Sequence, residues 1–273
     1  MKVKTNWVPS AFTMANMFCG FFSAVLASNG KFIQAAWLIV AAAVMDTLDG
    51  KIARLANASS HFGVEYDSLA DVVSFGFAPS FLAYQSVFKD WGTIGLFISA
   101  APLLFGSVRL ARFNARLRGF DKSYFEGLPT PAAAITISAF LILNYHFWHH
   151  LRWEKVFLFI VIGISILMVS TFRYDTMPAF SLRKGSPERR KVLLVFIGVF
   201  SVILFPQELL LPWCVGYALS GPFRFLTMAI KGTEESEFPN ESAVSNKKEN
   251  KNEGNRKSTS KKRYSRPARK SGQ

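Results

Sequence analysis

The chain has 273 residues, half of them hydrophobic and 27 of them Phe, yet its formal net charge is +14. Apolar spans separated by basic loops reconcile the two, as in a polytopic membrane protein, and an ordinary soluble domain or a disordered chain does not. Two cysteines, Cys19 and Cys214, both in apolar runs, exclude a disulfide framework and read as buried thiols. No nucleic-acid partner is expected.

Residues 1–7 are short and basic, with Lys2 and Lys4. The apolar run 8–27 has the outline of a signal peptide. Pro9, Thr13 and Asn16 inside it, and the charge distribution of the whole chain, favour keeping it as a first span. A second span starts at Phe32 and ends in an acidic stretch. Further spans are expected at 63–84, 91–108, 132–147, 156–172, 192–205 and 209–228. The last is interrupted by Pro212, Gly216, Gly221 and Pro222. Together they make an all-α fold of about eight transmembrane helices, with lengths close to the ~20 residues that cross a ~30 Å hydrocarbon core.

Lysine and arginine fall on alternate connections. Lys2 and Lys4, then Lys51 and Arg54, then 109–122, then 173–191 and the tail are rich. The other connections hold Lys31, Lys89, or Arg152 with Lys155. The rich side is expected to be cytoplasmic, which places both termini and the acidic stretch at the inner face of the cell membrane. The expected domains are a membrane domain, 1–230, and a basic tail, 231–273, with 12 Lys+Arg against 6 Asp+Glu. The tail's composition predicts disorder. It is either a solvated extension or, through Lys261, Lys262 and Arg263, a tether to anionic lipid. His61, between the two motif helices, reads as a loop residue, with a substrate role as the alternative, and His146, His149 and His150 read as interfacial.

The acidic stretch, 46–71, is what the apolar flanks must accommodate. It carries Asp46, Asp49, Asp67 and Asp71, and a carboxylate at mid-bilayer costs roughly 2.5–3.5 kcal/mol on insertion scales. Asp46, Asp49, Gly50, Ala53 and Arg54 share one face of a helix, and Gly63, Asp67 and Asp71 share one face of a second. Two antiparallel helices joined by a short connection bring the four carboxylates together. Hard oxygen donors suit Mg²⁺ or Mn²⁺ better than zinc. Gly50 and Ala53 leave room for a ligand at the backbone, and Arg54 offers a fork suited to phosphate.

The spacing D-x₂-D-G-x₂-A-R-x₈-G-x₃-D-x₃-D resembles the signature of the CDP-alcohol phosphatidyltransferase family and matches it at every specified position. The resemblance implies that Asp46, Asp49 and Asp67 are metal ligands and that Asp71 completes the cluster and acts as general base. The alternative for Asp71 is metal ligation alone. It further implies nucleotide contacts at Gly50, Ala53, Arg54 and Gly63, and a homodimer. The expected chemistry is in-line displacement on a CDP-activated lipid, with two divalent ions clamping attacked and leaving oxygens. Thr13 and Asn16 are either further nucleotide contacts or a satisfied intramembrane polar pair. An ion carrier built on the same carboxylates is disfavoured, because transport does not require Gly, Ala and Arg at these offsets.

Three other strings, N-M-F-C-G at 16–20, R-L-A-R-F-N at 109–114 and G-L-P-T-P-A-A-A at 127–134, resemble the membrane-integral phosphatidylserine synthase branch of that family. The implied substrates are CDP-diacylglycerol and L-serine, giving phosphatidylserine and CMP. Glycerol phosphate, inositol phosphate or choline as acceptor, or an ether-lipid donor, keep the same chemistry. A serine carboxylate calls for an arginine fork, for which Arg109 and Arg112 are candidates, with Asn114 orienting the amine or hydroxyl. The same arginines also serve as topology determinants or phosphate anchors. Pro129 and Pro131 either shape an acceptor loop or simply start a helix.

Overall fold

The computed structural model describes residues 11–55, 61–117, 125–174, 197–198 and 200–230. Two compact units divide the chain, Met1–Leu226 and Thr227–Gln273, and the first carries everything that follows except the last residues of the final helix. The expected tail, 231–273, lies outside the described residues, as do 192–196 and 199 of the expected span at 192–205, of which 197–198 and 200–204 are helical.

Helix α1, Ala11–Ser28, turns back at once into α2, Phe32–Leu55. The turn is set by Gly30, whose φ of 75° lies in the left-handed region. There the amides of Gly30 and Lys31 donate to Ala27 O and Leu26 O at 3.1 and 2.9 Å, which satisfies carbonyls that the end of α1 leaves open. The contact between the helices is made of small residues. Gly20, Ser23, Ala24 and Ala27 are buried on α1, and Ala35, Ala36, Ala42 and Ala43 on α2. Small side chains let membrane helices approach until backbones touch, and Ser23 Oγ donates to Ala35 O at 2.8 Å.

The third rod is α3, His61–Asp71, a π-helical segment, Val72–Phe77, and α4, Ala78–Ser86. Its backbone stays helical through both junctions, and Ala78 N–H bonds five residues back to Val73 O. Pro79 follows immediately, and its ring does not fit over the carbonyl four residues back in a regular helix; the wider turn accommodates it. After a short 3₁₀ turn, Phe88–Trp91, helix α5, Gly92–Leu117, carries Pro102 inside it. The neighbouring Leu103 N–H donates instead to Ser80 Oγ of α4 at 3.0 Å, a side-chain replacement of the kind that makes proline tolerable in a membrane helix.

Helix α6, Thr130–Trp148, starts after Pro129 and is mostly buried; α7, Glu154–Val169, returns along it. Strand β1, Phe125–Glu126, pairs antiparallel with β2, Arg173–Tyr174. Beside this pair Gly127, at φ 77°, donates to Phe172 O at 2.9 Å, and Leu128 N–H donates to Leu167 O at 3.0 Å. The 127–131 turn is therefore a helix start docked on the end of α7. Helix α8, Pro206–Ile230, is continuous through Pro212 and Pro222. Tyr174 is buried and donates from its hydroxyl to Ala218 O of α8 at 2.9 Å. Burial and the adjacent Tyr217 push its phenol up to about 12, so it remains a donor at any working pH.

The exterior carries many large apolar side chains, and polar ones are found inside. Phe97 and Phe159 are 72% and 74% exposed, while Ser23, Ser74, Thr136 and Ser138 are buried. That inversion suits lipid, not water, and this all-α chain is an integral membrane protein. Among the described residues, five helical stretches, Ala11–Ser28, Phe32–Ile52, Phe88–Ala115, Thr130–Trp148 and Pro206–Thr227, are long and apolar enough to cross a bilayer. The structure corrects several expected boundaries. The fourth helix runs to Leu117 rather than 108, the sixth stops at Val169 rather than 172, and α8 is not broken at its prolines. His61 opens α3 instead of lying in a loop.

A Cβ on Gly20 would meet Ser74 Cα and Oγ at 2.6 Å, backbone that cannot yield. Gly20→Val should therefore destabilise the bundle by about 1–3 kcal/mol through overpacking, while Gly163→Val, where no atom lies within 4 Å, should not. Thermal unfolding of the two variants in one detergent checks the contrast.

Candidate active site

The acidic faces of α2 and α3 come together. Asp46, Asp67 and Asp71 each offer a carboxylate oxygen, and the three oxygens lie within 4.8 Å of one another. All three side chains are half-buried. At such separations each ionised pair costs on the order of 3 kcal/mol with an effective dielectric near 20. Asp49 follows Asp46 by one turn and is buried. It stands within electrostatic reach of Asp46 and Asp67 but outside the tight group. Its Oδ2 accepts a hydrogen bond from the Thr13 hydroxyl of α1.

Asn16, one turn further along α1, approaches the Asp71 carboxyl. The geometry falls short of a hydrogen bond: both amide atoms of Asn16 and Oδ1 of Asp71 are buried without a partner. Thr13 and Asn16 are thus not paired with each other. Each belongs to a different aspartate. The backbone beside them is fixed by Ser74 Oγ, which donates to Asn16 O at 2.8 Å. That contact comes from the π-helical segment directly after Asp71, so α1 and the third rod are locked at the level of the carboxylates.

Gly50 is exposed at the same end of α2, and Gly63 is half-buried in the first turns of α3. Ala53 and Arg54 belong to the last turn of α2, and their side chains lie outside the described residues.

The arginines of α5 separate. Arg109 is 8% exposed and lies within electrostatic reach of Asp71 and of Tyr217. Its Nε has no partner. Arg112 instead donates from Nη1 to Val169 O, the last residue of α7, at 3.2 Å, where a cation also suits the negative end of the helix. Asn114 Nδ2 donates to Ser68 Oγ at 2.8 Å, tying α5 to the residue after Asp67. Of the three expected acceptor contacts, Arg109 stands beside the cluster, while Arg112 and Asn114 brace the helices around it. Tyr217, within electrostatic reach of Arg109, and Thr130, whose methyl packs on α5 at Gly106, were not named as site residues from the sequence. Tyr217 lies in α8 with no motif around it, and Thr130 sits inside a proline turn.

Hard carboxylate oxygens at this separation fit a divalent cation. The buried, unpartnered Oδ1 of Asp71 is a further acceptor such an ion satisfies. Fold and site thus define a polytopic membrane protein with an acidic cluster at the junction of its second and third helical rods.

A CDP-alcohol phosphatidyltransferase domain is matched over residues 6–169, and the chain belongs to that family. It is 40% identical over 225 residues to the CDP-diacylglycerol–serine O-phosphatidyltransferase of Helicobacter pylori, covering 82% of this chain and 92% of the relative. It is 37% identical to the archaetidylserine synthase of Methanothermobacter thermautotrophicus over 61% of this chain and 69% of that one. It is 41% identical to the Saccharomyces cerevisiae CDP-diacylglycerol–serine O-phosphatidyltransferase over 44% and 48% of the two chains.

Repulsion among the carboxylates gives the cluster a testable signature. Without divalent ions, Asp67→Asn should raise the unfolding temperature, because it removes like-charge contacts. Added Mn²⁺ should stabilise the wild type, by about 2.7 kcal/mol at a hundred times its dissociation constant, and so raise its unfolding temperature far more than the variant's. Thermal unfolding with and without chelator reads both effects.

Proposed function

We propose that the protein transfers the phosphatidyl group of CDP-diacylglycerol to the hydroxyl of L-serine, giving phosphatidylserine and CMP. The observation that carries this reading is the convergence of Asp46, Asp67 and Asp71, with Arg109 within electrostatic reach of Asp71. The serine-specific names of relatives that match most of the chain support it. Those names share serine and differ in the donor lipid, so an ether-lipid donor is the second reading.

Asp46, Asp49, Asp67 and Asp71 would hold Mg²⁺ or Mn²⁺, two ions in all. When bound, the ions supply charge neutralisation on the pyrophosphate and on the attacked phosphoryl group. Gly50, Ala53, Arg54 and Gly63 face the nucleotide. Thr13 fixes the rotamer of Asp49 through its hydrogen bond, and Asn16 occupies the space between α1 and Asp71.

Asp71 acts as general base. It takes the proton of the serine hydroxyl as that oxygen bonds to the lipid-side phosphorus and the bond to the CMP oxygen breaks. Its place, one turn past Asp67 and partly enclosed, suits both a metal ligand and a proton acceptor. Arg109 holds the serine carboxylate. Two carbons separate that carboxylate from the hydroxyl, so neighbouring anchors for the two ends are what serine requires.

The basic connections orient this end of the bundle, the chain termini and the tail toward the cytoplasm at the inner membrane, where CMP is released. A homodimer, implied by the family resemblance, belongs to the same reading, as does a membrane domain ending near residue 230 with a basic tail beyond it.

Purified full-length protein in detergent, given CDP-diacylglycerol and Mn²⁺ or Mg²⁺, should release CMP only when L-serine is added. Asp71→Asn should lower kcat by 10²-fold or more, the usual scale for a lost general base. CMP release that needs another alcohol instead of serine would overturn the acceptor, and release unaffected by Asp71→Asn would overturn the base.

A further inference from the structure

At the start of α6 lies a buried polar group that no structural contact uses. Thr130 is 1% exposed, and its hydroxyl has no hydrogen-bond partner. Two hydroxyls deeper in this bundle bond to the carbonyl four residues back. Thr136 does so on Ala132 O at 2.7 Å, and Ser165 on Val161 O at 2.7 Å. Thr130 is the first residue of its helix, so it has no helical carbonyl four residues back. A buried hydroxyl left unpaired forgoes its hydration without return, which asks for a ligand.

Its surroundings say which kind. The Thr130 methyl packs on α5 at Gly106, with Cγ2 3.5 Å from the point a Cβ would occupy. Arg109 follows Gly106 by one turn of the same helix, and its buried Nε is also unpartnered. In the first turn of α6 Pro131 has no N–H and the Ala133 amide donates to Pro129 O at 3.1 Å, so the turn contributes chiefly the positive end of the helix dipole. A guanidinium and a hydroxyl are donors and the helix N-terminus is positive, so the group they fit is an anion. Asp71, within electrostatic reach of Arg109, faces the same region and would repel a second phosphate more than a single carboxylate.

We propose that Thr130 and the first turn of α6, together with Arg109, hold the carboxylate of an α-amino-acid acceptor while its hydroxyl faces Asp71. This rests on the serine reading above and adds a specificity-determining residue to it. Acceptors without a carboxylate leave Thr130 and Arg109 unpaired, so discrimination against ethanolamine and serinamide follows from the same donors.

The test is CMP release by the full-length protein in detergent, with L-serine and CDP-diacylglycerol varied separately. Thr130→Val should raise KM for L-serine about tenfold and leave KM for CDP-diacylglycerol within about twofold. It should also narrow the preference for serine over serinamide. Thr130→Ser should restore wild-type behaviour. Ser138→Ala, which deletes another buried unpaired hydroxyl two turns further along α6, should leave the serine KM unchanged. If Thr130→Val does not fold, Thr130→Ala carries the same comparison. A serine KM within twofold of wild type in a folded, active Thr130 variant overturns this proposal alone. Wild-type protein that ignores serine and uses another alcohol overturns the serine reading and this proposal with it.

Discussion

Like-charged carboxylates packed inside an apolar bundle are the constraint to which the rest of the molecule answers. Three carboxylate oxygens within 4.8 Å repel one another and forgo water, and neither cost is recovered by contacts among themselves. The chain holds them in place by spending its packing on the two helices that carry them. Helix α1 is laid against α2 through alanines, glycine and serine, and Gly20 fits so tightly on Ser74 that no side chain can stand there. The close approach of backbones compensates for a site that by itself pushes apart.

Proline handling serves the same end. A π-helical segment begins at the residue after Asp71, ahead of Pro79, and Ser80 supplies an acceptor to the amide beside Pro102 on α5. Both irregularities lie where the third rod meets α5, the helix that brings Arg109 to the cluster. A regular helix after Asp71 would rotate the residues beyond it by part of a turn, and Ser74 would lose Asn16 O as its acceptor. The irregular backbone and the acidic site are thus mechanically continuous, in keeping with the frequent placement of π-bulges at functional sites.

The acidic motif was legible because its information is local. Helical periodicity alone puts Asp46 with Asp49 and Asp67 with Asp71, and a short connection can only bring the two faces together. What periodicity does not carry is the partner across the bundle. The hydrogen bond from Thr13 to Asp49 joins residues 36 apart, and nothing in the spacing says that Thr13 and Asn16 attend different aspartates. Arg109 and Arg112 share a helical face by spacing, yet a rotation of about 60° between positions three apart and two long side chains send one toward Asp71 and the other to Val169 O. The continuity of α8 through Pro212 and Pro222 was hidden for a similar reason. Neighbouring groups rescue a proline in a membrane helix, and those neighbours are distant in sequence.

The choice of neighbours around the carboxylates has its own logic. The groups that touch Asp49 and approach Asp71 from α1 are neutral, a hydroxyl and an amide. A lysine there would neutralise the cluster permanently and compete with any divalent ion for the same oxygens. Neutral donors fix carboxylate rotamers while leaving the field intact. Among the described side chains, the cation nearest Asp71 that this structure provides is Arg109, and it comes from the far side, on α5, with its Nε unspent. A guanidinium in that place does not quench the acidic face. It adds an anion-binding edge one step beyond it, so that a single small molecule bearing both a hydroxyl and a carboxylate can span the boundary between the two.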